Sequence, residues 1–312
     1  MLYAPAPMHI PDGFLSLTIA IICWGITVVV DGVAISRTNK SLGERQVPLM
    51  GIMAAFIFAA QMINFPVAGG TSGHLLGGTL AAIALGPWAA MLVMTAVIAV
   101  QGLLFQDGGL LVMGANIFNM GLLTVAVGYG LYRSVLGRSR NTKLVVAGAA
   151  AWLSVMTGAL ATSLELWLSG TAKLNIVVPA MLSVHALIGL GEALITVAAL
   201  AFILRMRPDL LDEQSASAKG GRGWILAGVL IALAVVGLSP LASADPDGLN
   251  RVAMNLGFIH TAREGAGPLA GYTVPFLTSE PAAKIVAGVI GVLVVAAIVL
   301  LIGRSLHKKD RA

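Results

Sequence analysis

Ile176 to Leu204 reads IVVPAMLSVHALIGLGEALITVAALAFIL, an apolar run whose only ionisable side chains are His185 and Glu192. A helix needs ~20 apolar residues to cross the hydrocarbon of a bilayer, whereas a barrel strand needs only ~10 and alternates in character. This run does not alternate and is far longer than a strand, so it reads as a membrane-spanning helix. Further apolar stretches lie at Phe14 to Ile35, Pro48 to Phe65, His74 to Leu85, Trp88 to Phe105, Leu110 to Tyr132, Leu144 to Leu168, Trp224 to Ala242 and Ala283 to Ile302. The pattern predicts an all-α polytopic membrane protein with a seven-helix core and a C-terminal two-helix transmembrane hairpin.

Composition agrees. The 312 residues are 58% hydrophobic and 11% charged, with a mean hydropathy of +0.92, against about 25% charged residues in soluble domains. Cys23, the single cysteine, lies inside the first apolar stretch, so one chain offers neither a disulfide framework nor a thiolate cluster.

A net charge of +5 suggests nucleic acid in a soluble protein, but here the distribution of Lys and Arg reports topology. With the N-terminus outside, Arg37, Lys40, Arg45, Arg133, Arg138, Arg140, Lys143, Arg205, Arg207, Lys219, Arg222, Arg304, Lys308, Lys309 and Arg311 face the cytoplasm. Only Lys173, Arg251, Arg263 and Lys284 face outward. The positive-inside rule therefore predicts an extracytoplasmic N-terminus and a cytoplasmic C-terminus in the inner membrane, with no nucleic-acid partner.

The stretch from His74 to Leu85 is short for a span, and Gly69, Gly70, Gly73, Gly77 and Gly78 crowd its entry. Irregular backbone at membrane depth requires protein or a water-filled cavity to satisfy its polar groups, and a binding pocket near His74 meets that need. After Arg205 the apolar pattern gives way to Pro208, Asp209, Asp212, Glu213 and a glycine cluster. The expected organisation is a membrane domain at 1–207, a cytoplasmic linker at 208–223 and a two-span domain at 224–312 with an outer loop. Met1 to Pro7 has no basic residue and no apolar core, and does not read as a secretory signal.

Met8-His9-Ile10-Pro11-Asp12-Gly13-Phe14 places a histidine just ahead of a Pro-Asp-Gly turn entering the first span. By itself it reads first as an ordinary N-terminal turn with an exposed histidine, and a metal role needs a second ligand from elsewhere. His74, assigned to the same membrane face, supplies a second imidazole, and neutral imidazole suits nickel, cobalt, copper and zinc. Asp107, Asn116, Asn119, His185 and Glu192 are polar residues at or near the membrane, where interhelical hydrogen bonding and a functional role are both open.

Five segments in order, namely Met8 to Phe14, Gln61-Met62-Ile63-Asn64-Phe65-Pro66 with the glycine run to Gly78, Gln106-Asp107-Gly108-Gly109, Gly114 to Met120, and His185 to Ala193, resemble the CbiM and NikM family. Its members are the metal-capture subunits of energy-coupling-factor (ECF) importers for cobalt and nickel. The resemblance covers about the first 205 residues. It implies uptake of Ni2+ or Co2+, a membrane coupling (T) component, and cytoplasmic ATP-binding (A) subunits as partners. It also implies a square-planar site of four nitrogens: the amino group of a starting methionine, the amide nitrogen and imidazole of the next histidine, and a distant imidazole. Carried onto this chain, these belong to Met8, His9 and His74, with Asp107 and His185 as candidates to orient a ligand. Seven residues precede Met8 here; the full set therefore requires a chain that begins at Met8.

The segment from Asp245 to Ala253 is similar to the Pro-Asp-Gly-Leu-Glu motif of the small NikN-type auxiliary subunit, with Asn250 in place of the glutamate. Two other functions compete. Gly70-Thr71-Ser72-Gly73 with His185 fits a rhomboid-like intramembrane serine protease, although no Trp-Arg pair occurs in an early loop. An ATP-independent metal channel or secondary transporter is the other, and inverted repeats that would support it are not visible. The chain carries no G-x-x-x-x-G-K-[ST] phosphate loop, so an ATP-driven mechanism needs other subunits, and no enzymatic activity is expected.

Overall fold

The computed structural model describes residues 8–206, 223–263, 265 and 267–308. The expected linker, 208–223, lies almost wholly outside them, as does Met1 to Pro7. The chain forms a helical bundle in the order α1 Leu17–Ser41, α2 Gln46–Gln61, a short hairpin of β1 Phe65–Val67 and β2 Thr71–Gly73, α3 Gly78–Leu85, and α4 Pro87–Val100. There follow α5 Met113–Asn116, α6 Thr124–Tyr132, α7 Arg140–Leu168, α8 Leu174–Met206, α9 Gly223–Gly237, α10 Gly248–Leu256 and α11 Glu280–Lys308. Wide π-helical turns at Gln101–Phe105 and Ile117–Leu123 extend α4 and join α5 to α6.

Among the described residues, seven helical stretches are long and apolar enough to span a membrane: Leu17–Ser41, Pro87–Phe105, Met113–Val135, Arg140–Leu168, Leu174–Met206, Gly223–Leu241 and Glu280–His307. The other two predicted spans are shorter than their apolar runs. Helix α2 ends at Gln61, and Phe65 starts the hairpin. Only Gly78–Leu85 is helical in the third stretch, which leaves His74 in irregular backbone as the glycines suggested.

Ends are set locally. Ser16 caps α1 by accepting from Ile19 N, Ser139 caps α7 by accepting from Thr142 N, and Pro87 starts α4 where its missing N–H costs nothing. Large apolar side chains along α1, including Ile21, Val28 and Val29, face outward as lipid contact demands.

The last two spans are integral to the bundle. Helix α11 packs chiefly on α2 and also on α4, and α9 packs on α2. Ala287, Val292, Val295 and Val299 of α11 belong to the same buried cluster as Met50, Phe58 and Val97. One end of the bundle gathers the N-terminal segment, the β-hairpin, the loop after α4 and the segment between α9 and α11. There Ser72 N donates to Pro246 O at 2.9 Å, Arg263 N to Asp12 O at 2.8 Å, and Leu269 N to Leu104 O at 3.0 Å. The opposite end gathers the basic termini, where Arg140 Nη2 donates to Ala201 O and His307 Nδ1 to Leu42 O.

Candidate metal centre

The loop after α4 positions the N-terminal segment. Asp107 N donates to Gln101 O at 3.1 Å, and the next two residues are glycines because the His9 segment lies directly against them. Gly108 has φ +107, and a Cβ there would lie 2.9 Å from His9 Cβ and 2.8 Å from Asn116 Nδ2. A Cβ on Gly109 would lie 2.2 Å from both Asp12 N and Asp12 Oδ1. Through this gap Gly109 N donates to Ile10 O at 2.9 Å. Asn116 clamps the same residue from the other side: its Oδ1 accepts from Ile10 N and its Nδ2 donates to Ile10 O, each at 3.0 Å. The Asp12 carboxylate accepts from the backbone N–H of Leu110, Leu111 and Val112. The Pro-Asp-Gly turn is thus an anchor as well as a turn.

Asp107 then holds the two residues in front. Its Oδ1 accepts from Met8 N at 2.7 Å, and its backbone oxygen accepts from His9 Nδ1 at 2.8 Å. A carbonyl can only accept, so Nδ1 carries the proton and Nε2 carries the lone pair. His9 is 2% exposed and its Nε2 meets no hydrogen-bond partner among the described residues. A buried polar atom without a partner is costly, and an ion bound at this lone pair would supply the missing partner.

His74 faces His9 with ring centroids 5.5 Å apart. If an ion lies ~2.0–2.1 Å from a nitrogen of each ring, the centroids are roughly 4.5 Å apart for ligands at right angles and roughly 6.3 Å apart for opposed ones. The observed separation falls inside that window. The separation of the two rings is compatible with a shared ion once their nitrogens are turned toward it. His74 Nδ1 donates to Leu75 O at 3.0 Å, which again leaves Nε2 with its lone pair. The irregular backbone behind it is held by Glu192, whose carboxylate accepts from Leu76 N at 2.6 Å and Gly77 N at 2.9 Å, and by Gln61, which donates to Leu76 O at 2.7 Å.

Met8, His9, His74 and His185 line one cavity of about 70 Å³. His185 Nδ1 donates to Met181 O at 2.8 Å. The cavity wall also includes Asn119, Thr162, Asp247 and Gly248. Asn119 Nδ2 donates to Glu165 at 2.7 Å and to Thr162 at 3.2 Å, the interhelical bonding that its position allows. Asp247 caps α10 by accepting from Asn250 N, and burial, with the Asp107 carboxylate adding to it, pushes its own carboxyl up to about 8.

The structure brings Met8, His9, His74 and His185 together around the cavity, with Asp107 holding two of them. It does not join Ser72 to His185. Ser72 Oγ donates to Asp245 O at 2.7 Å, and that serine is fully buried outside the cavity lining. His260 is in a short turn away from the cavity. Sequence reasoning missed Tyr272, Asp247 and the backbone-holding role of Glu192. The Asp-Gly of Asp247 was visible as a turn, but no local signal tied it to His9.

The family described as the cobalt uptake substrate-specific transmembrane region, CbiM, matches residues 9–210. This chain belongs to the CbiM family. A PDGLE domain matches residues 222–308 of the same CbiM-family chain. A protein of Archaeoglobus fulgidus bearing the NikMN fused-nickel-transport name is 37% identical over 298 residues, covering 93% of this chain and 96% of its own. The fused nickel transport protein NikMN of Rhodobacter capsulatus is 29% identical over 345 residues, covering 97% and 99%. A crystal structure of a transition metal transporter superposes with a TM-score of 0.59 at 36% identity, over 68% of this chain and all of that one. The CbiM-family chain is a multi-pass membrane protein of metal transport.

Proposed function

We propose that this CbiM-family chain is the substrate-capture subunit of an ATP-driven ECF importer and binds Ni2+ or Co2+ at its extracytoplasmic face. The observation that carries the reading is the pair of buried imidazoles, His9 and His74, with ring centroids 5.5 Å apart across one cavity, and the Met8 nitrogen on Asp107. In this reading the first domain, 1–207, captures the ion. The linker at 208–223 is cytoplasmic, and 224–312 covers the outer face with its loop. The orientation follows from the separation of site end and basic end under the positive-inside rule. Energy comes from a membrane coupling component and cytoplasmic ATP-binding subunits, since the chain has no phosphate loop of its own.

The ligand set is Met8, His9 and His74, with Asp107 and His185 orienting them. A chain beginning at Met8 presents a free amine on the nitrogen that Asp107 already holds. Chelation by the amide nitrogen, which releases its proton to solvent as it binds the ion, and by the imidazole of the same residue closes a six-membered ring only through Nδ1. His9 Nδ1 is bonded to Asp107 O in the structure, so capture in this mode turns the ring and releases that carbonyl. Square-planar nitrogen ligation suits Ni2+, and Co2+ also accepts nitrogen donors.

The test is metal titration of chains beginning at Met1 and at Met8, each terminus verified by mass spectrometry. Tighter binding by the shorter form is expected, with loss of high-affinity binding in His9→Ala and His74→Ala. Equal affinity of the two forms sinks the terminal-amine ligand. Unchanged affinity in both histidine variants sinks the site.

A further inference from the structure

The Asp107 carboxylate has two oxygens and the structure uses both. Oδ1 accepts from Met8 N at 2.7 Å, and Oδ2 accepts from the Tyr272 hydroxyl at 2.8 Å. Asp107 is only 4% exposed, so these bonds are not exchanged freely with water. Tyr272 comes from the outer segment between α10 and α11, 165 residues further along the chain.

The surroundings show that Tyr272 is held in place. Its ring stacks on Phe105 with centroids 4.8 Å apart and planes 22° apart, and Phe58 approaches at 6.5 Å. Leu269 N donates to Leu104 O at 3.0 Å just before it. The backbone of Tyr272 itself lies at φ +57, a left-handed conformation that is uncommon and costly for a bulky residue. Packing alone does not require a phenol here: phenylalanine fills the same stack. The hydroxyl is the part that reaches the carboxylate.

We propose that Tyr272 is a positioning residue of the metal site. Its hydroxyl fixes the Asp107 carboxylate so that Oδ1 holds the Met8 nitrogen at the cavity, and docking of the C-terminal outer segment thereby sets metal affinity. The inference rests on the metal-capture reading above. A carboxylate with one oxygen pinned can rotate only by breaking that bond, so the second oxygen presents a fixed acceptor to the N-terminal segment. Groups that orient ligands in this way commonly change metal affinity by about 10- to 100-fold when removed.

The experiment uses the full chain in whichever N-terminal form binds Ni2+ more tightly, with Tyr272→Phe and His9→Ala made side by side. Ni2+ titration is expected to show about 10- to 100-fold weaker binding for Tyr272→Phe and no high-affinity binding for His9→Ala. Hydrogen exchange in chelator separates positioning from simple undocking. Faster exchange is expected in the peptide around residues 8–15, with exchange across α10 at the parent level. Unchanged Ni2+ affinity in Tyr272→Phe, or exchange that rises equally in both peptides, overturns the positioning role while leaving the capture site standing. Parent-like binding by His9→Ala overturns both.

Discussion

Gly109→Ala isolates the close approach on which the site depends. The added Cβ would lie 2.2 Å from Asp12 N and Oδ1 and 2.5 Å from Asp12 Cγ, well inside ordinary contact, and the atoms it meets include backbone. Gly109 is not among the residues with a left-handed φ, so the effect is steric and not conformational. Overpacking of this kind costs about 1–3 kcal/mol. The two faces of the clash are unequally held. The loop bearing Gly109 is tied at both ends, to α4 and α5, whereas the segment from Met8 to Gly13 is tied to a helix only at its C-terminal side and otherwise held by hydrogen bonds and by the burial of Ile10. The cost therefore falls mainly on docking of the N-terminal segment, and metal affinity is expected to drop roughly 5- to 150-fold, at about 1.4 kcal/mol per factor of ten. Isothermal titration with Ni2+ reads it directly. Gly130→Ala is the control, since nothing lies within 4 Å of the Cβ it would add. Parent-like affinity in Gly109→Ala refutes the claim that this gap positions His9.

Other outcomes follow from particular residues. His185→Ala should weaken Ni2+ binding by about 10- to 100-fold, measured by the same titration, if it orients a ligand across the cavity. Asp247, pushed up to about 8 from an ordinary 3.8, holds a proton in the fold that the unfolded chain releases. Stability present below the unfolded value should therefore fall, by up to about 1.4 kcal/mol per pH unit, as pH rises through the folded value. Thermal midpoints in chelator against pH should show that fall in the parent and lose it in Asp247→Asn. Metal affinity itself should decline at low pH, as protons compete for the imidazoles and the amine; a pH-independent titration contradicts nitrogen ligation. Single cysteines at 138 and 244, both exposed, in a Cys23→Ala background should label from outside only at 244, and the opposite pattern reverses the orientation.

The spans were legible because lipid imposes one rule on every segment that crosses it, and Ile176 to Leu204 obeys that rule without reference to any neighbour. The third stretch was legible for the opposite reason: its glycines announced backbone that other groups must satisfy. What those groups are was not. Glu192 read as a polar residue within a span, and only the packing of α8 against the segment before α3 shows that its carboxylate accepts the two N–H groups behind His74. The short hairpin was missed because Phe65 and Pro66 continue the apolar run of α2, and its pairing depends on a turn at Gly69 and Gly70 held by Arg251, which donates to Gly70 O. The π-helical turns were missed because they leave composition unchanged.

His9 and His74 could be paired by membrane face, but neither sequence position specifies a distance. The 5.5 Å between their rings results from two independent scaffolds, the Asp107 to Gly109 loop on one side and the Glu192 clamp on the other. The PDGLE-type segment illustrates the same limit more sharply. Its spans read as an appended hairpin because apolar periodicity cannot distinguish a helix facing lipid from one facing α2. Yet Ala287 and Val295 are fully buried, and Asp247 and Tyr272 reach the groups around His9 from opposite ends of the segment between α9 and α11. A hairpin that only anchored a loop would have no need to bury one face of α11 in the main core. Burying it fixes where that segment begins and ends, and a segment fixed at both ends is what allows side chains so distant in sequence to meet one carboxylate.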